Sequence, residues 1–124
     1  MATKCSYRDL RIWQEAVELA LTIYRATATF PRHELYGLTS QMRRAAVSVS
    51  SNIAEGKGYN SDGDFGRFLF HARGSLLELQ TQIVIAGGLE YLQKDDISKL
   101  TLVTDRLGRG LNGLIQSVRG AKAA

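Results

Sequence analysis

The groups in this chain best suited to chemistry are Glu55, His71 and Glu78, with His33 and the acidic pair Asp62 and Asp64. A carboxylate beside an imidazole can move protons, and Glu and His on facing helices can hold a metal ion. The spacing argues against both. A helical di-metal centre needs several Glu residues and Glu-x-x-His motifs, and neither His33 nor His71 sits in one. No nucleophile with a partnered base and no phosphate-cradling loop accompanies these groups. The stretch YNSDGDFGRF, residues 59–68, looks like a calcium loop but lacks its ligand spacing and closing Glu, and a capped helix start accounts for it. No catalytic residue, metal, cofactor or small-molecule substrate is expected.

A second pattern is the polar line of QMRRAAVSVSSNIAEG, residues 41–56. At helical periodicity Gln41, Arg44, Ser48, Asn52 and Glu55 fall within a sector of about 80°. Beside it lies a sector of Met42, Ala45, Ala46, Val49 and Ile53, and the third side holds Arg43, Val47, Ser50 and Ala54. With one charge on that third side, the helix is expected to be covered all round. An antiparallel neighbour joined by a short connection pairs residues whose numbers sum to roughly 120. That sets Arg44 level with Ser75 and Glu78, Ser48 with His71, and Asn52 or Glu55 with Arg67, while Arg73 is a second partner for an acid. The expectation is a structural ladder of hydrogen bonds and ion pairs, with Arg44–Glu78 as a buried pair whose disruption costs about 3–5 kcal/mol. The small residues Val47, Ser50 and Ala54 suit close approach by another subunit; helix 4 or the N-terminal segment could cover the same face instead.

The basic residues suggest a different kind of contact. The formal net charge is +4, which permits an anionic partner. In an up-down bundle the start of helix 1 and the end of helix 4 lie together, which collects Lys4, Arg8, Arg11, Lys57, Arg119 and Lys122, with Arg106 and Arg109 away from the seam of helix 4. Asp9, Asp62 and Asp64 share that end. No aromatic-plus-basic RNA motif is visible, so Arg8, Arg11, Arg109, Arg119 and Lys122 are expected to contact phosphates if RNA is bound. A protein-interaction scaffold with a protein partner and no nucleic acid is the competing reading.

The elements that must position these residues are all helical. In 124 residues, 44% are hydrophobic and 23% charged, which fits one domain over residues 1–124 with one core. The single proline and three breaker clusters separate four segments of helical periodicity. Helix 1 should run from about Leu10 to Thr29 and stop before Pro31, and helix 2 from Gly37 or Thr39 into EGKGYNSDGD. Helix 3 should open on a capping box of Ser61 and Asp64, carry Phe65, Phe68, Leu69, Ala72, Leu76, Leu79, Ile83 and Ala86, and weaken at Gly87 and Gly88. Helix 4 should follow Asp95 as N-cap, with Ile97, Leu100, Thr104, Leu107, Leu111, Leu114 and Val118 as its seam. Short connections favour an antiparallel up-down-up-down four-helix bundle. The lone Cys5 has no partner for an internal disulfide. No apolar run approaches the roughly 20 residues that span a bilayer, nor does the N-terminus read as a signal peptide, so no membrane partner and a cytoplasmic location are expected.

The segments YRDLRIWQEAVELALTIYRAT, FPRHELYGLTSQMRRAAVSVSSNIAEGKGY and DFGRFLFHARGSLLELQTQIVIAGGLEYL resemble, in order and spacing, the four-helix-bundle proteins encoded in intervening sequences of bacterial 23S ribosomal RNA genes. The family pattern Q-x-R-R-A-x-x-S-I-P-x-N-I-A-E-G falls on Gln41, Arg43, Arg44, Ala45, Ser48, Asn52, Ile53, Ala54, Glu55 and Gly56, with Val49 and Ser50 where Ile-Pro is usual. The resemblance implies a cytoplasmic bundle that assembles into a homo-oligomeric ring of five subunits. This is the arrangement of the similar accessory variability proteins of diversity-generating retroelements, which bind nucleic acid and a reverse transcriptase. It implies no enzymatic activity, and the ribosomal RNA link reflects gene location.

Overall fold

Breaker residues and caps decide where each helix stops. The structure, a computed structural model, describes residues 6–123, with side chains through Gly120. Four helices follow in order: α1 (Arg11–Thr27), α2 (Leu38–Gly58), α3 (Asp62–Gly88) and α4 (Lys94–Ala123), with 3₁₀ turns at Tyr7–Asp9 and Arg32–Glu34. The expected contacts of Lys4 and Cys5, and of the Lys122 side chain, lie outside the described residues.

The ends of the helices refine the expected boundaries. α1 stops two residues short of Thr29: Ala28 N–H bonds the Arg25 carbonyl at 3.3 Å and Phe30 N–H bonds that of Thr27 at 3.1 Å. The chain thus leaves helical geometry ahead of Pro31. α2 is capped from outside, because Glu34 Oε1 accepts the Leu38 N–H at 3.2 Å while Tyr91 O–H donates to Glu34 Oε2 at 3.0 Å. Ser61 caps α3 by accepting the Asp64 N–H at 3.1 Å. The Asp64 carboxylate takes the Ser61 hydroxyl at 2.9 Å, so half of the expected box forms. A complete box forms instead at Ser6 and Asp9, before the first turn. α3 closes with Tyr91 N–H on the Ala86 carbonyl and Glu90 N–H on that of Gly87. This motif needs a left-handed residue, supplied by Glu90 at φ 64°. α4 starts one residue before the expected N-cap: Ile97 N–H bonds the Gln93 carbonyl at 3.0 Å, and Asp95 sits inside the first turn, where its charge opposes the helix dipole favourably.

Contacts between neighbouring helices run in opposite directions along the chain. Between α3 and α4 they pass from Gly66 with Val118, through Arg73 with Asn112 and Gln80 with Thr104, to Gly87 with Ile97. Between α2 and α3 they pass from Gly56 with Phe68 to Ser48 with Ser75. α1 meets α4 where Ile12 faces Gly110. The molecule is therefore an all-α four-helix bundle whose adjacent helices are antiparallel.

One face of each helix fills the core. α1 supplies Ala16, Leu19 and Ile23; α2 supplies Met42, Ala45, Ala46, Val49 and Ile53. α3 contributes Leu69, Ala72, Leu76, Leu79 and Ile83, and α4 contributes Leu100, Leu107, Leu111 and Ile115. Full burial of one such aliphatic side chain stabilises by about 1.5–3 kcal/mol. Ile97 and Leu114, expected in the α4 seam, are only partly buried, and Ile115 fills the core in place of Leu114. Three of the four seams also carry a polar tie: Arg43 Nε to Thr27 Oγ1 (2.9 Å), Ser48 Oγ with Ser75 Oγ (2.9 Å), and Gln80 Nε2 to Thr104 Oγ1 (3.1 Å). Among the described residues no side-chain hydrogen bond crosses from α1 to α4.

Candidate functional site

The polar line of α2 meets α3, but as an open groove and not as a buried ladder. Gln41, Arg44 and Ser48 line a groove of about 490 Å³ together with Ala45, Ser75 and Glu78. Its floor is the Ser48–Ser75 hydroxyl pair, and Asn52 Nδ2 donates to Ser48 Oγ at 2.9 Å. Arg44 and Glu78 are both exposed, and the ion pairs among the described residues are Arg11–Glu15 at 3.8 Å and Arg67–Asp64 at 3.0 Å. The expected buried Arg44–Glu78 pair is thus corrected. So is the register, because Ser48 lies level with Ser75 and not with His71. Side chains on a helix lean toward its N-terminus. In this antiparallel pair that lean carries α2 tips away from the connecting turn and α3 tips toward it. Contacting numbers therefore sum to more than the roughly 120 set by the turn. Arg67 pairs within its own helix rather than with Asn52 or Glu55, and Glu55 is exposed.

The third side of α2 is covered by α1. Arg43 bonds Thr27 and lies 4.7 Å from the centre of the Tyr24 ring, and Ser50 is buried. Val47 alone among the small apolar residues of that side stays substantially exposed, at 40%. The first 3₁₀ turn also packs against α2.

The basic residues divide into separate places. Arg11 pairs loosely with Glu15, and Arg8 lies over the ring of Tyr7 at 5.7 Å. Arg109 is exposed and sits about 80° around α4 from Arg119. Arg119 joins a cluster that sequence reasoning missed. Its guanidinium lies 5.0 Å from the centre of the Phe70 ring, and that of Arg73 lies 4.7 Å from the same centre. Arg67 lies 4.6 Å over Phe68, whose ring stacks on Tyr59 at 5.4 Å and tilts against His71 at 6.0 Å. Arg73, expected to face an acid on α2, instead bridges to α4, donating to Asn112 Oδ1 at 3.0 Å. The signal available in the sequence was the run RFLFHAR, residues 67–73, where Arg67, Phe70 and Arg73 follow one another at a spacing of three.

This cluster borders a groove of about 380 Å³ lined by Asp62, Gly63, Gly66, Arg67, Phe70, His71, Val118 and Arg119. Sharing one ring brings Arg73 and Arg119 within about 10 Å of each other, about one Debye length at ordinary ionic strength. Neither has a carboxylate partner among the described residues, and Asn112 is neutral. Arg67 differs, since Arg67 and Ser61 together hold the Asp64 carboxyl below the usual range. Two guanidinium groups held against one ring, outside any ion pair among the described residues and in a groove that Asp62 also lines, keep donors free for an anion such as phosphate.

Among the described residues no group of three His, Cys, Asp or Glu side chains is placed to hold a metal ion, and no helix is long and apolar enough to cross a membrane. No curated protein sequence matches the chain. Among solved structures it is similar to a protein of unknown function from the S23 ribosomal protein family of Bacteroides thetaiotaomicron VPI-5482. The two share 19% identity at a TM-score of 0.75, over 84% of this chain and 97% of that one, which is a likeness of fold. The family model of the 23S rRNA-intervening sequence protein matches residues 8–113, which takes in the α2 motif, α3 with Phe70 and Arg73, and α4 as far as Gly113, with Arg119 beyond it. The chain belongs to the 23S rRNA-intervening sequence protein family.

Proposed function

We propose that this protein is a non-enzymatic, homo-oligomeric four-helix bundle that binds RNA or a ribonucleoprotein through its basic surface. The observation that carries the reading is the convergence of Arg73 and Arg119 on Phe70 without a carboxylate partner. Like charges held together are stabilised by an intervening anion, and a polyanion supplies phosphates at regular spacing. Arg67 and His71 extend the surface along α3, and Arg109 extends it around α4. Repetition of the cluster in an oligomer would add weak contacts into useful avidity. Phosphate contacts carry little sequence information, so preference among RNA sequences should be slight.

The test is a salt titration of affinity for a single-stranded RNA with wild type and with Arg73→Ala combined with Arg119→Ala. Each lost contact should reduce the logarithmic salt slope by about 0.7, and affinity at low salt should fall about tenfold or more. An unchanged slope would reject this surface. A second reading, a scaffold for a protein partner, draws on the outer side of α3, where Leu77, Val84 and Ile85 are exposed. Failure of wild type to bind RNA even at low salt would favour it.

A further inference from the structure

The groove at the α2–α3 seam holds more polar capacity than the seam itself uses. Its volume of about 490 Å³ has room for a small molecule, and of its lining residues Ala45 alone is apolar. Half-buried at its floor, the Ser48 and Ser75 hydroxyls lie 2.9 Å apart. Two hydroxyls carry two hydrogens, and the bond between them uses one. Asn52 Nδ2 donates to Ser48 Oγ at 2.9 Å, which takes up an acceptor site and not the second hydrogen. Whichever serine donates to the other, one hydroxyl hydrogen at the floor is left without an acceptor among the described contacts.

The rim of the groove carries two charges. Arg44 makes no ion pair among the described residues, so its planar fork of donors is available. Glu78 makes none either, and its Oε1 accepts from the Gln82 amide at 3.3 Å, which leaves Oε2 to take a second donor. Gln82 is buried, so the carboxylate is steadied from within the seam. A cation and an anion thus line one groove without satisfying each other.

We infer that this groove is a binding site for a free α-amino acid with a small polar side chain. The ligand carboxylate accepts from the Arg44 guanidinium and from the spare serine hydrogen, and its ammonium donates to Glu78. An α-amino acid bears both charges on one carbon and so answers both walls at once. A peptide terminus supplies only one of them, and an inorganic anion would be repelled by Glu78. Because Ala45 is the one apolar wall, a small polar side chain fits the groove better than an aliphatic one. The site goes beyond the RNA reading and does not depend on it, since this ligand has no net charge and the Phe70 surface is matched to a polyanion. The Ser48, Ser75 and Asn52 bonds that hold the seam stay in place, so the scaffold is kept.

The probe is L-serine, titrated without RNA into ¹⁵N-labelled wild-type protein while the Arg44 Nε–H resonance is followed. That resonance should shift saturably at millimolar concentration. N-acetyl-L-serine lacks the ammonium and L-serine methyl ester lacks the carboxylate, and each should bind at least about tenfold more weakly. L-serine should lose as much on Arg44→Gln, followed by calorimetry, and on Glu78→Gln, with circular dichroism to confirm folding. Both side chains are exposed, so neither substitution disturbs the core. Absence of a saturable shift would overturn the site. Equal binding of either blocked form would overturn the amino acid as its ligand, and L-leucine binding as tightly as L-serine would overturn the polar side chain.

Discussion

α3 has two working sides, and they were built differently. Toward α2 it packs closely: a Cβ on Gly56 would lie 2.6 Å from Phe68 Cβ, and hydroxyl meets hydroxyl at Ser48 and Ser75. Toward the end of α4 the same helix presents Phe70 as a platform for two arginines that make no ion pair among the described residues. The first side packs on the family motif of α2, and its residues make the scaffold. The second side has no compact motif and carries the candidate chemistry. The recognisable motif on α2 and the candidate surface therefore lie against opposite sides of α3, and substitutions should separate them: stability moves with the α2 side and anion binding with the α4 side.

The sharpest way to break this contrast is Gly56→Ala. Phe68 Cβ is tied closely to its backbone and gives way only if α3 shifts, so overpacking should cost about 2 kcal/mol. A control of opposite sign is Gly74→Ala on exposed α3, where an added methyl meets nothing within 4 Å and should stabilise by about 0.5–1 kcal/mol. Urea denaturation measures both, and equal effects would dissolve the distinction between the close-packed Gly56 end of the α2–α3 seam and the open face of α3.

Acid offers a gentler probe. Backbone and Tyr91 hydrogen bonds hold the Glu34 carboxyl below its usual range, and Arg67 does the same for Asp64. A folded-state pKa that is depressed means the unfolded chain binds protons first. The stabilisation is present above the ordinary carboxylate range near pH 4 and is lost as pH falls through the folded values. Glu34→Gln should flatten the decline in melting temperature between about pH 5 and pH 3. An unchanged decline would show that the Glu34 clamp contributes little. Smallest of all should be Arg44→Ala. An exposed guanidinium without an ion pair should change monomer stability by less than about 0.5 kcal/mol, checked by the same urea curves.

Much of this fold was legible because helical periodicity and the single Pro31 leave few alternatives, and the core positions Ile53, Leu69, Leu76 and Leu107 all follow from spacing. The ladder was not, for two physical reasons. The lean of side chains moved the α2–α3 register by several residues, from His71 to Ser75 opposite Ser48. Exposure depends on where neighbours stand, and periodicity showed that α2 lacked a charged face without showing that Arg44 would look outward. The Phe70 cluster escaped because Phe70 and Arg119 lie far apart in sequence and meet only once α3 and α4 are packed antiparallel. The stripe drawn on helix 3 from spacing did not include Phe70.

The division of labour between the two sides of α3 can be observed directly in the arginine Nε–H resonances of ¹⁵N-labelled protein during titration with a short single-stranded RNA at low salt. Those of Arg73 and Arg119 should shift together, while that of Arg44, in the motif groove, stays in place. A shift of Arg44 with Arg73 and Arg119 unmoved would contradict the account.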